Sequence, residues 1–193
     1  KPNKSHPILL IHGWGLGADT DCGSTFDRMI GQLKAAGFTG PFIRVGFYSG
    51  DTNCDMTLRD WGPVEDGSHF SVLSKAFSKY VYATFTAKGK TVDVVGYSMG
   101  GNVVRGAVQG SAAGESGFSA PIKVQDAVTF GAPMNGAAWY SSFCLWGMCS
   151  SLKPGSDDVK WLQKVPNPQG PDGTEWTAFG SDAVTRAKVS DPV

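Results

Sequence analysis

Short apolar runs alternate along this chain with stretches of helical periodicity. Residues 7–11 (PILLI) are unbroken apolar and end in H-G-W-G, the pattern of a strand buried on both faces. From Ser24 the spacing of Phe26, Met29, Ile30 and Leu33 is helical, and Gly37 supplies a stop. A second strand is predicted at 42–45. Between 70 and 85, Val72, Leu73, Ala76, Phe77, Tyr80 and Phe85 recur at helical intervals. Runs at 92–95, 124–130 and 176–179 predict three further strands. No repeat, low-complexity tract or linker interrupts the series. Strands alternating with helices predict an α/β fold: one domain over 1–193, with a mostly parallel sheet and helices on both faces.

In such sheets the working residues collect at the carboxyl ends of the strands. The chemically unusual residues of this chain fall there: His12-Gly13-Trp14-Gly15 after the first strand, Ser98 after the third, Gly131-Ala132-Pro133 after the fourth and Asp182 after the fifth. Gly96-Tyr97-Ser98-Met99-Gly100 has the form G-x-S-x-G, with a strand before it and a helical pattern from Met99 after it. The glycines let strand and helix pack closely about a sharp turn that holds the serine hydroxyl out. The amino end of the helix adds the positive end of its dipole at the same place. A loop of small residues after the first strand suits a second set of amide donors. Trp14 reads equally as a core aromatic or as a pocket wall. His12 reads as a brace for its loop.

HPILLIHGWG, VDVVGYSMGGNVVR and VQDAVTFGAPMNG together resemble the secreted bacterial α/β-hydrolase lipases and esterases, over most of the chain. The resemblance implies that Ser98 is the nucleophile and that the amides of Trp14 and Met99 form the oxyanion hole. It also implies a triad running Ser, then Asp or Glu, then His along the chain. Asp182, beside the fifth strand, is the expected acid, with Asp191 as its rival. The histidine is the departure. His6, His12 and His69 all precede Ser98: His6 belongs at the opposite end of the sheet, and His69 opens a helix. The last strand and helix of such folds are therefore expected to be missing from the 193 residues, with the catalytic histidine beyond Val193.

Residues 138–152 are the most apolar irregular stretch of the chain. They read either as a packed core turn or as an acyl-chain wall or short lid, in which Trp139, Phe143, Leu145, Trp146 and Met148 contact substrate. The four cysteines lack metal or redox spacing. Cys22–Cys54 and Cys144–Cys149 are the economical disulfides, implying secretion, while four free thiols would suit a cytosolic enzyme. Seventeen basic residues balance seventeen acidic ones, so no long-range field draws the chain to nucleic acid or anionic lipid. Nothing approaches the roughly 20 apolar residues of a membrane span. No metal or other cofactor is expected; the D-T-D and S-D-D clusters read as solvated turns, with weak calcium binding as the alternative. The expectation is a monomeric, secreted serine carboxylic-ester hydrolase, most simply a lipase acting on an apolar ester. A polyester or cutin depolymerase, and an inactive binding protein of the same fold, are the alternatives.

Overall fold

The computed structural model describes residues 2–138, 144 and 147–180. Six strands, β1 (Ile8–Ile11), β2 (Phe42–Gly46), β3 (Met56–Thr57), β4 (Val92–Tyr97), β5 (Val124–Phe130) and β6 (Glu175–Phe179), form one sheet in the order β3-β2-β1-β4-β5-β6. Every pairing in it is parallel. The helices are α1 (Cys22–Ala35), α2 (Phe70–Thr84), α3 (Met99–Ala112) and α4 (Asp157–Gln163). The five strands expected from the apolar runs are present. The sixth, β3, has two residues, too few to carry a period. The S-D-D cluster is a helix start instead of a solvated turn. Ser156 caps α4 by accepting from the Val159 amide at 3.2 Å, and Asp157 and Asp158 occupy its first turn, where the helix dipole favours negative charge. In the same way α1 begins two residues earlier than its apolar spacing suggests. The D-T-D segment ends in Asp21, which accepts from the amides of Gly23 and Ser24 at 2.9 and 3.2 Å.

Alternation along β1 divides the core. Ile8 and Leu10 face Phe26 and Ile30 of α1, while Leu9 and Ile11 join the larger cluster with Leu73 and Phe77 of α2 and Val103, Val104 and Ala107 of α3. All four β1 residues are buried, as a strand with helices on both faces requires. Fully burying an aromatic such as Phe70 or Phe77 contributes about 1.5–3 kcal/mol. Both expected disulfides are formed, and no described cysteine is free. Cys22–Cys54 joins positions 32 residues apart; closing a loop of that length restricts the unfolded chain by about 3–4 kcal/mol.

From β1 the chain moves outward to β2 and β3, then α2 returns it to β4 on the other side of β1. The strand order therefore reverses between β1 and β4. The crevice at their carboxyl ends is where open α/β sheets receive ligands.

The amino edge of the sheet carries a different group. Asp93 on β4 is 6% exposed, and its Oδ1 lies 3.2 Å from His6 Nδ1 and accepts from the Asp126 amide at 3.2 Å. Burial pushes its carboxyl above the ordinary range, against those two hydrogen bonds. A folded-state value above the unfolded one favours the folded chain below the unfolded pKa, and the gain is lost as pH rises through the folded value. The stability of the native protein relative to Asp93→Asn should therefore fall as pH climbs from about 4, measured by urea melts at successive pH values. A difference between the two that stays flat across that range would refute it.

Candidate active site

Ser98 joins β4 to α3 with φ 52° and ψ −128°, a conformation costing a non-glycine residue about 1–3 kcal/mol. Its amide donates to Phe130 O at 2.8 Å and its carbonyl accepts from the Gly101 amide at 2.9 Å, so both flanks of the strained peptide are held. A serine at a helix amino terminus ordinarily caps it by accepting from first-turn amides. Here the side chain makes no capping bond, because the positive φ swings it away from the helix. The amide of Met99, at the first position of α3, has no intrahelical acceptor.

The tight turn depends on its glycines. A Cβ on Gly96 would lie 2.6 Å from Gly101 Cα, and one on Gly100 would lie 2.4 Å from the carbonyl oxygen of Ile11. Gly13 brings the loop after β1 onto the serine: a Cβ there would sit 2.7 Å from Ser98 Cβ and 3.1 Å from Ser98 Oγ. The open side of Gly13, where a side chain would stand, thus faces Ser98.

A strand, a strained serine and a helix, faced by a glycine loop from the neighbouring strand, form the geometry of a nucleophile elbow. Over residues 5–169 of the 193, the sequence matches the family described as Lipase (class 2). The chain belongs to the class 2 lipase family. No curated protein sequence matches it. Among solved structures it is similar to the mature form of Bacillus licheniformis lipase BlEst2, at a TM-score of 0.60 and 16% identity over 92% of this chain and 66% of that one. The propeptide form of the same lipase matches with the same TM-score, but the chain covers 36% of it. Legionella pneumophila phospholipase PlaB matches at 0.56 and 15% identity over 94% of this chain and 40% of that one. The metagenomic carboxyl esterase MGS0156 matches at 0.55 and 13% identity over 93% and 50%. At these identities the likeness establishes the α/β-hydrolase fold. This class 2 lipase chain spans about a third to two thirds of the solved structures named.

None of the three histidines of the class 2 lipase chain is arranged to serve Ser98. His6 is bound to Asp93 at the amino edge. His69 is the backbone cap of α2, with Nε2 3.4 Å from Ser150 Oγ. His12 is 1% exposed, with Nδ1 2.8 Å from Gly13 O and Nε2 2.7 Å from Asp51 Oδ2. Of the expected substrate residues, Met148 is 3% exposed within the main core, where its sulfur accepts from the Tyr48 hydroxyl at 3.1 Å. Trp139, Phe143, Leu145 and Trp146 lie outside the described residues, as do Asp182 and Asp191. Sequence reasoning does not single out Asp51, Tyr48 or Asn102. Asn102 donates to Pro133 O at 3.0 Å and ties α3 to the G-A-P loop. Asp51 and Tyr48 follow β2, another strand end, and that position was the available signal.

The close approach of α3 to β1 sets a prediction. Gly100→Ala forces a Cβ onto the β1 backbone and should destabilise the protein by about 3 kcal/mol or more. Gly31→Ala, on a face of α1 with nothing within 4 Å, should stabilise it by about 0.4–1 kcal/mol. Thermal and urea unfolding of the two variants check the contrast; equal effects would contradict it.

Proposed function

We propose that the protein is a secreted serine carboxylic-ester hydrolase in which Ser98 attacks an acyl ester carbonyl. The observation that carries this is the strained Ser98, freed from capping and faced by Gly13. The amides of Met99 and Trp14 hold the oxyanion, each such donor contributing about 3 kcal/mol to the transition state. A histidine takes the serine proton and returns it to the leaving alcohol. Asp182, two residues beyond the described part of the chain at the end of β6, orients that histidine. Water then attacks the acyl-enzyme and releases the acid.

An apolar acyl group is favoured by what surrounds the carboxyl ends of the strands. Leu16 is 89% exposed, Tyr97 53% and Phe179 52%. Tyr97, Phe130 and Phe179 are register partners across β4, β5 and β6, and the Phe130 and Phe179 rings stack at 4.9 Å. Exposed apolar groups beside a nucleophile suit lipid or another water-poor ester. Trp139, Phe143, Leu145 and Trp146 are the further substrate contacts of this reading. The two disulfides support an oxidising, extracellular setting, and no described helix is long and apolar enough to cross a membrane.

Ser98→Ala in the full-length protein should lower kcat on p-nitrophenyl esters by at least about 10⁴-fold and abolish labelling by a fluorophosphonate. Undiminished hydrolysis by the variant would remove Ser98 from the mechanism. A native protein that neither turns over nor labels would support the inactive, binding alternative.

A further inference from the structure

The loop after β1 is held by one residue pair that the hydrolase reading leaves unused. His12 is buried, and its ring stacks on Phe47 with centroids 4.1 Å apart. Its Nδ1 lies 2.8 Å from Gly13 O, and its Nε2 lies 2.7 Å from Asp51 Oδ2. A carbonyl and a carboxylate oxygen that is itself receiving hydrogen bonds both accept. Asp51 Oδ2 already accepts from the amides of Phe47 and Tyr48 at 2.8 and 3.0 Å. The remaining neighbour of Nδ1 is Thr20 Oγ1 at 3.3 Å, and that hydroxyl spends its proton on Asp19 O at 2.8 Å. It therefore offers Nδ1 only a lone pair. A carbonyl oxygen can only accept, so the bond between Nδ1 and Gly13 O is donated by the ring.

The donation from Nδ1 has a consequence for Trp14. In a planar trans peptide the C=O and the following N–H point in opposite directions. The Gly13 carbonyl and the Trp14 amide belong to one such plane. Fixing the carbonyl on His12 fixes the direction of the Trp14 N–H, on the residue whose neighbour Gly13 abuts Ser98 Oγ. Glycine at position 13 makes the constraint necessary, since without a side chain that peptide is free to turn over. A second tether lies one residue on, where the Gly15 amide donates to the Tyr48 hydroxyl at 3.1 Å. Tyr48 and Asp51 belong to the same turn after β2. The bridge between Cys22 and Cys54 and the hydrogen bonds exchanged around Thr52 join that turn to the start of α1.

We propose that His12 and Asp51 are positioning residues for the oxyanion hole: Asp51 holds the ring, and His12 Nδ1–H holds the Gly13 carbonyl, which aims the Trp14 amide. The proposal rests on the hydrolase reading of Ser98 and on Trp14 as an oxyanion donor. It distinguishes a directed amide from a loop that is merely stable.

Two substitutions separate these. Asparagine places an amide N–H where Nδ1 stands, close to the backbone, and glutamine reaches the place of Nε2. Both lose the stacking on Phe47, so damage to packing is common to them. With p-nitrophenyl butyrate and the full-length protein, His12→Gln should lose about 10–100-fold in kcat, as expected for a misaimed oxyanion donor. His12→Asn should fall appreciably less, and KM should stay within about twofold of the native value in both, since the oxyanion contact forms in the transition state. Imidazole nitrogen NMR of the unaltered protein gives a readout that needs no variant to fold: the His12 Nδ1 should carry a proton. An unprotonated Nδ1 overturns the proposal, as do equal kcat values for the two variants or losses confined to KM. A native protein that neither hydrolyses the ester nor reacts with a fluorophosphonate overturns the hydrolase reading and this inference with it. Failure of the inference alone shows an active native protein and indistinguishable variants.

Discussion

The close approach between the first turn of α3 and the end of β1 is the constraint on which the carboxyl edge of this sheet depends. The space between Gly100 and the Ile11 carbonyl does not admit a methyl group. That contact sets the depth at which α3 begins, and hence how sharply the chain must turn at Ser98. The strain of the positive φ at Ser98 is about 1–3 kcal/mol. It persists because hydrogen bonds to Phe130 and Gly101 fix the peptides on either side, and because Val103, Val104 and Ala107 lock the helix behind it into the core. A less tightly packed α3 would let the serine relax into an ordinary cap, with its hydroxyl spent on the helix.

The same edge shows two different ways of holding backbone in place. Around Ser98 the positioning is steric: small residues and a buried helix leave one arrangement. Around Gly13 it is also polar, because a glycine has no side chain of its own with which to pack. There the hydrogen bonds of His12, Asp51 and Tyr48 do what volume does on the other side. Burial makes such a device selective. With little water to compete, an acceptor left without its donor is costly, so the arrangement that satisfies every group is strongly preferred.

Much of the fold was legible from local pattern. Strands β1, β2, β4, β5 and β6 and helices α1 and α2 rest on apolar periodicity that needs only neighbours in sequence, and the strand–serine–helix setting of Ser98 is contiguous. Three kinds of feature were not. β3 is too short to carry a period, and α4 is announced only by its cap. Met148, grouped by sequence with its apolar neighbours as a substrate contact, is turned inward onto Tyr48, a hundred residues away. The partners of His12 were illegible for the same reason. Position 12 announces a brace, but Asp51 is 39 residues distant, and nothing in the stretch Y-S-G-D-T says which side chain its carboxylate will meet.

The three histidines bear directly on the chemistry. Each occupies a site that explains its presence: His6 offsets a buried Asp93 at the amino edge, His12 braces the loop after β1, and His69 precedes α2 beside Ser150. A general base needs one ring nitrogen free to accept a proton from the serine hydroxyl. His12, in the loop that faces Ser98, has both nitrogens engaged, Nδ1 with Gly13 O and Nε2 with Asp51 Oδ2. The feature that disqualifies it as a base is the one that lets it hold a carbonyl. In the reading proposed here, the nucleophile and the oxyanion donors all belong to the part of the chain between β1 and β5. In that reading Asp182, which follows β6 in sequence, is the acid, and the packing that strains Ser98 does not depend on it.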